Sequence, residues 1–179
     1  MKALRGKSAA KLLQQSYASG HPPRVEVAFL LQDWDDAYNV GGLFRVADAV
    51  GAKLLVLSGK TPTPPDPMIS VPSMGHHRRV PWRQFARHDE SADFLEATGW
   101  TLLAVELADN AVPYHELVYP EKTCLVLGHE VRGIYPGLLR RCQSAVFLPM
   151  QGKGKSMNVH VAGAVVAYHA TVLGRPAEQ

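Results

Sequence analysis

The sequence predicts an α/β domain, with a mostly parallel sheet flanked by helices. Short apolar runs of strand length alternate with segments of helical periodicity along nearly the whole chain, the pattern of strands joined by crossover helices. A length of 179 residues is enough to bury one core. No internal repeat and no linker divides the chain. Residues 1–179 therefore read as a single domain, with residues 1–24 as a short basic N-terminal extension.

The elements follow in order. Ser8 to Tyr17 reads as a short helix, broken by His21-Pro22-Pro23. Val25 to Leu31 is an apolar run of strand length, followed by the acidic turn Asp33 to Asp36. Val40, Leu43, Phe44, Ala47 and Val50 then recur at helical spacing, and Gly51 supplies a C-terminal stop. Lys53 to Leu57 is the second strand. The segment Ser58 to Pro81 is rich in proline, glycine and histidine and reads as a long loop. Ser91 to Thr98 is a helix closed by Gly99, and Thr101 to Leu107 and Thr123 to Leu127 are strands. Pro136 opens a short helix through Arg141, Ala145 to Leu148 is the last strand, and Ser156 to Leu173 is the last helix, ended by Gly174 and Pro176.

Composition excludes several classes. A hydrophobic content of 46% with 20% charged residues is that of a globular protein rather than a disordered one. Cys124 and Cys142 are too few for a disulfide framework and too far apart for a C-x-x-C zinc site; they read as buried apolar residues in a reducing cytoplasm. The N-terminus lacks the apolar run of a signal peptide, and no stretch approaches the roughly 18 apolar residues of a membrane span. A soluble, cytoplasmic protein is expected. The net charge of +3 is small, but basic residues cluster in Lys2, Arg5, Lys7 and Lys11, in His76 to Arg87, and in Arg132, Arg140, Arg141, Lys153 and Lys155. Such clusters suit either solvated surface or contacts to phosphates.

Three segments have the residue types of a functional site. In Asn39-Val40-Gly41-Gly42-Leu43-Phe44-Arg45, a polar side chain, two glycines and an arginine open a helix just after a strand and turn. Glycines there permit close approach of a ligand or backbone. A purely structural account has Asn39 capping the helix and Arg45 pairing with Asp48 one turn on. In Leu125 to Ile134 an apolar strand ends in Gly128 and then presents His129, Glu130, Arg132 and Gly133, at the strand end where ligands sit in open α/β sheets. In Phe147 to Val159 a strand leads through Pro149, Met150 and a glycine-lysine loop to Ser156, Met157 and Asn158. Gly154-Lys155-Ser156 matches the end of a phosphate-binding loop, but the leading glycine of that motif would fall on Pro149, which has no N–H to donate. A nucleotide hydrolase is set aside on that ground. The last helix is apolar around most of its circumference, which suits burial within the domain or across an oligomer interface.

The order and spacing of these segments resemble the SpoU/TrmH family of RNA ribose 2′-O-methyltransferases, within the SPOUT superfamily. The resemblance runs from about Val25 to Gly174. The family's N-x-G-x-x-x-R is met by Asn39, Gly41 and Arg45, its strand-glycine-glutamate-glycine by Gly128, Glu130 and Gly133, and its S-[LM]-N-V by Ser156, Met157, Asn158 and Val159, after Pro149. Two positions depart from the family, which often has asparagine at His129 and glycine at Val131.

The resemblance implies a C-terminal trefoil knot, a homodimer, and S-adenosyl-L-methionine as methyl donor with no metal. The donor would lie among Leu107, Leu127, Gly128, Leu148, Met150 and Met157. Arg45, Asn39, Glu130, Ser156 and Asn158 are the implied catalytic set. Within it Arg45 is expected to clamp the RNA phosphate beside the reacting ribose rather than act as base, since a guanidinium stays protonated. The implied reaction is methyl transfer to a ribose 2′-hydroxyl, with tRNA favoured over ribosomal RNA. A non-catalytic RNA-binding protein of the same fold is the alternative; it predicts loss of the donor pocket or of Arg45, and neither is lost in the sequence.

Overall fold

The computed structural model describes residues 7–173 and 175–176. Lys2, Arg5 and the Gly174 stop lie outside the described residues. The chain forms α1 (Lys7–Gly20), β1 (Glu26–Gln32), α2 (Ala37–Val50), β2 (Leu54–Ser58), α3 (Pro67–Ser73), β3 (Trp82–Phe85), α4 (His88–Ala97), β4 (Thr101–Val105), β5 (Val112–Pro113), β6 (Val118–Tyr119), β7 (Lys122–Leu127), α5 (Pro136–Leu139), β8 (Ser144–Phe147), α6 (Val159–Tyr168) and β9 (Arg175–Pro176). A π-helical turn, His169–Leu173, continues α6.

The seven-stranded sheet runs β3-β2-β1-β7-β4-β8-β5, and every pairing in it is parallel. Parallel strands need covered faces, and both faces are covered. On one, Val27, Phe29 and Leu31 of β1 pack with Leu43, Phe44 and Ala47 of α2 and with Val166 and Ala167 of α6. On the other, Ala28 and Leu30 of the same strand pack with Ala92 and Leu95 of α4 and Leu138 of α5. That is why β1 reads as a continuous apolar run rather than an alternating one. Each such fully buried leucine or phenylalanine contributes about 1.5–3 kcal/mol by leaving water. Both cysteines are free. Burial raises their thiols, that of Cys142 to about 12, so neither is a ready nucleophile.

The segment Ser58 to Pro81 corrects the expectation of an unstructured loop. It contains α3 and a 3₁₀ turn, His76–Arg78. Asp66 caps α3, accepting from the Met68 N–H at 2.7 Å, and Pro67 occupies its first turn. At seven residues, with Pro72 inside it, α3 is too short to show periodicity in the sequence; packing across α2 sustains it. That packing is close, since a Cβ on Gly41 would meet the Ile69 carbonyl oxygen. The strands β3, β5, β6 and β9 are also additions to the expected set, each four residues or fewer. The last helix begins at Val159 rather than Ser156, because Asn158 caps it.

Candidate active site

A cleft of about 650 Å³ opens at the carboxyl ends of β7, β4 and β8, three adjacent strands. Leu107, Leu127, Gly128, Leu148, Met150 and Met157, the residues expected to hold the donor, all line it, and so do Asn39, Glu130, Ser156 and Asn158. Glu106 and Lys155 add a carboxylate and an ammonium to its wall.

Asn39 is where the three sequence segments meet. It does not cap α2; Asp36 does, accepting from the Tyr38 N–H at 2.8 Å. Asn39 instead stands inside the first turn of α2, 7% exposed. Its Nδ2 donates to Glu130 Oε1 at 3.3 Å, and its Oδ1 accepts from Asn158 Nδ2 at 3.0 Å and lies 3.1 Å from His160 Nδ1. Asn158 does a second job, its Oδ1 accepting from the His160 backbone N–H at 3.0 Å to start α6. Glu130 is held from the other side by the Asp35 backbone N–H at 3.3 Å.

His129 is built into the same wall and 7% exposed. Its Nδ1 accepts from the Val131 N–H at 3.0 Å, which leaves the proton on Nε2, 2.9 Å from the Asp35 carboxylate. The ligand atoms of Asp35, His129 and Glu130 lie within 4.8 Å of one another. All three residues are already engaged by these internal contacts.

Backbone fit sets the shape of the cleft floor. A Cβ on Gly128 would lie 2.4 Å from the Gly133 carbonyl carbon and the Ile134 nitrogen, so the loop leaving β7 touches its own return. Gly133 has φ +67°, a left-handed conformation, and faces the Glu106 carboxylate. Glu106 in turn accepts from the N–H groups of Leu107 at 3.0 Å and Ile134 at 3.1 Å, tying the loop after β4 to the one after β7.

Trp34, fully buried, donates its indole N–H to the Leu127 carbonyl at 3.2 Å. Trp34→Phe should cost about 1–3 kcal/mol, because a buried carbonyl loses its partner while the ring volume largely remains. The urea midpoint of unfolding measures it; an unchanged midpoint would mean that this carbonyl finds another donor.

Arg45 and Ser156 fall outside the Asn39 network. Ser156 lines the cleft but has no hydrogen-bond partner among the described residues. Arg45 is exposed on α2, about 9 Å further along the helix axis than Asn39 at 1.5 Å per residue. The expected structural pairing with Asp48 is not made. Asp48 instead meets His76 Nδ1 at 2.9 Å and Arg79 Nε at 3.3 Å, both from the segment read as a loop. Arg45 is thus left with no acidic partner among the described residues.

Lys155, expected in a glycine-lysine loop suited to phosphates, lines the cleft, whereas Glu106, Asp35 and His160 are not legible as site residues in the sequence. Glu106 had a signal, since it follows an apolar strand as Glu130 does; the other two gain their positions from tertiary contacts. A second polar chain lies away from the cleft. His88 Nε2 is 2.9 Å from Asp33 Oδ2, and its Nδ1 is 2.8 Å from Ser58 Oγ. Burial pushes the Asp33 carboxyl up, but the Lys60 N–H and His88 outweigh that and hold it below its ordinary value. Ser58 is fully buried and accepts from Ser91 Oγ at 3.2 Å. The Asp33–His88–Ser58 contacts therefore expose no serine nucleophile and join β2 to α4.

A polar network over an apolar-walled cleft at the ends of parallel strands defines a ligand-binding α/β protein with its site built from main-chain loops. The chain belongs to the SpoU rRNA Methylase family, whose model matches residues 26–168. It is 30% identical over 145 residues to a tRNA (guanosine(18)-2′-O)-methyltransferase of Thermus thermophilus, covering 81% of this chain and 74% of that protein. Among solved structures, an AdoMet-bound rRNA methyltransferase from Sinorhizobium meliloti superposes with TM-score 0.76 at 26% identity, over 84% of this chain and 57% of that one. A structure described by the 2-OH methylation of C/U34 on tRNA superposes with TM-score 0.70 at 27% identity, over 82% of this chain and 95% of that one. The chain thus spans little more than half of the first structure and nearly all of the second.

Proposed function

We propose that this chain transfers the methyl group of S-adenosylmethionine to a ribose 2′-hydroxyl of RNA, with tRNA favoured over ribosomal RNA. The observation that carries the reading is the convergence of all three motif segments on one cleft, joined through Asn39. The donor's size and chemistry suit the cleft: apolar Leu107, Leu127, Leu148 and Met150 for an adenine, with Glu106 and Glu130 as negative groups beside a cation. When bound, the donor supplies a methyl already attached to a good leaving group, so the chemistry requires alignment and proton removal rather than a metal.

The protein's part is positioning. Asn39, Glu130 and Asn158 hold the wall of the cleft against α2 and α6. Arg45, exposed and without an acidic partner among the described residues, is free to clamp a phosphate next to the reacting ribose. Ser156, exposed and lining the cleft, meets the ribose in this reading.

The proposal extends to the finer features of the fold. The chain is one domain with residues 1–24 as an extension. Its C-terminal part is knotted, a reading supported by β7 entering between β1 and β4 and by β8 entering between β4 and β5. A homodimer is supported by apolar side chains left open on the last helix, Val161 at 42%, Val172 at 42% and Leu173 at 64% exposure, and on α1, Leu12 at 67% and Leu13 at 58%. Among the described residues no helix is long and apolar enough to cross a membrane; with two free cysteines, a reducing cytoplasm is the proposed location.

Purified protein incubated with tritiated S-adenosylmethionine and, separately, unmodified bulk tRNA and ribosomal RNA tests this. Label on tRNA ribose is expected, and label on ribosomal RNA alone would move the substrate. Donor binding with no label in either RNA would reject both substrates, and no donor binding would favour the non-catalytic RNA-binding alternative.

A further inference from the structure

We propose that His160 is a positioning residue of this site, locking the Asn39 amide so that its nitrogen faces Glu130 and the cleft. The proposal rests on the methyl-transfer reading. The Asn39 oxygen can only accept, and His160 Nδ1 lies 3.1 Å from it, so Nδ1 carries the proton. An imidazole protonated only at Nε2 would set a lone pair against that oxygen. Asn158 Nδ2 donates to the same oxygen at 3.0 Å. Rotating the amide by half a turn would oppose its NH₂ to both donors and its oxygen to the Glu130 carboxylate, losing three hydrogen bonds at once. Of the two Nδ2 hydrogens, one goes to Glu130, and the other has no partner among the described residues. Asn39 lines the cleft, so the locked amide offers a donor suited to an oxygen of the bound RNA, a hydroxyl or a phosphate.

The imidazole has a place made for it. A Cβ on Gly42 would lie 3.1 Å from the ring Cδ2 and 3.2 Å from Nε2, so the ring rests on the α2 backbone where Gly42 leaves room. Asp36, at the start of α2, is the charged group facing it. Burial holds the imidazole below its ordinary value while Asp36 pulls it upward, and both the neutral Nδ1–H form and the cation can donate to Asn39.

Three substitutions separate hydrogen bonding from packing. His160→Asn places an amide N–H near the position of Nδ1, His160→Gln places one near Nε2, and His160→Ala removes the donor. His160→Ala and His160→Gln should lower kcat by about 10- to 100-fold, with S-adenosylmethionine binding by calorimetry and Tm close to wild type. His160→Asn should stay within a few-fold. Wild-type kcat in His160→Ala, or His160→Asn as impaired as His160→Ala, would overturn the proposal. Should the wild-type protein transfer no methyl at all, the methyl-transfer reading fails instead, and nitrogen-15 spectra of the His160 ring still decide the lock. A protonated Nδ1 that is lost in Asn39→Ala supports it; an Nε2–H tautomer in the wild-type protein overturns it.

Discussion

Arg45→Ala should lower turnover on RNA by about 10²- to 10³-fold while leaving S-adenosylmethionine affinity at the wild-type value. The magnitude is that of removing one donor aimed at developing negative charge. The separation of the two effects comes from the geometry. Arg45 does not line the cleft that the donor would enter, and it projects from the exposed face of α2. Its would-be partner Asp48 is taken by His76 and Arg79, so its loss breaks no ion pair among the described residues. Alanine is also the best helix former, which keeps α2 intact. Arg45→Lys should recover only part of the loss, because an ammonium keeps the charge but not the planar fork that meets a phosphate through two N–H groups. Single-turnover rates with saturating RNA, set beside donor affinity by calorimetry, measure both quantities. Near-normal turnover in Arg45→Ala would remove Arg45 from the mechanism.

Gly128→Ala should cost both stability and donor binding. A methyl group there meets the Gly133 carbonyl carbon and the Ile134 nitrogen at 2.4 Å. These are backbone atoms, so no side-chain rotation relieves the clash. Residues 128 to 134 must open, and Ile134 then pulls against its hydrogen bond to Glu106, which also holds the Leu107 N–H. Two walls of the cleft shift together. A cost of about 1–3 kcal/mol in stability is expected from overpacking, with a fall in S-adenosylmethionine affinity of at least about tenfold, since a small displacement of binding groups loses their alignment. Urea unfolding and calorimetry read the two separately. Gly152→Ala is the control, because nothing lies within 4 Å of a Cβ at that position. Unchanged donor affinity in Gly128→Ala would mean that this floor does not contact the donor.

The two predictions differ in how far the sequence supports them. That Gly128 and Arg45 stand in segments of functional composition is legible in the chain. That Gly128 touches its own loop return, and that Arg45 has no acidic partner among the described residues, is not. The pairing of Arg45 with Asp48 was the natural local expectation, one helical turn apart. It failed because His76 and Arg79 reach Asp48 from a segment whose proline content hid its helix and turn. Asn39 shows the same division. Its residue type suits a helix cap, but Asp36, three residues earlier, has the capping geometry. Asn39 is then free for partners 91, 119 and 121 residues away.

By itself the sequence determined the longer elements and the residue types of the site, but not α3 or the short strands β3, β5, β6 and β9. Apolar runs longer than a turn specify β1, β2, β4 and β7, helical spacing specifies α2, a run apolar around most of its circumference marks the last helix, and glycines at 51 and 99 end helices in left-handed conformations. These are consequences of backbone sterics and side-chain burial acting over a few residues. Only the tertiary structure decided the strand order that brings the loops after β7, β4 and β8 side by side. It also decided the turn of the Asn39 amide toward Glu130 and the release of Arg45 from Asp48. Each depends on contacts between residues far apart in the chain. Such contacts are settled by which faces can pack and which polar groups can be satisfied together, a choice that no local window of sequence contains.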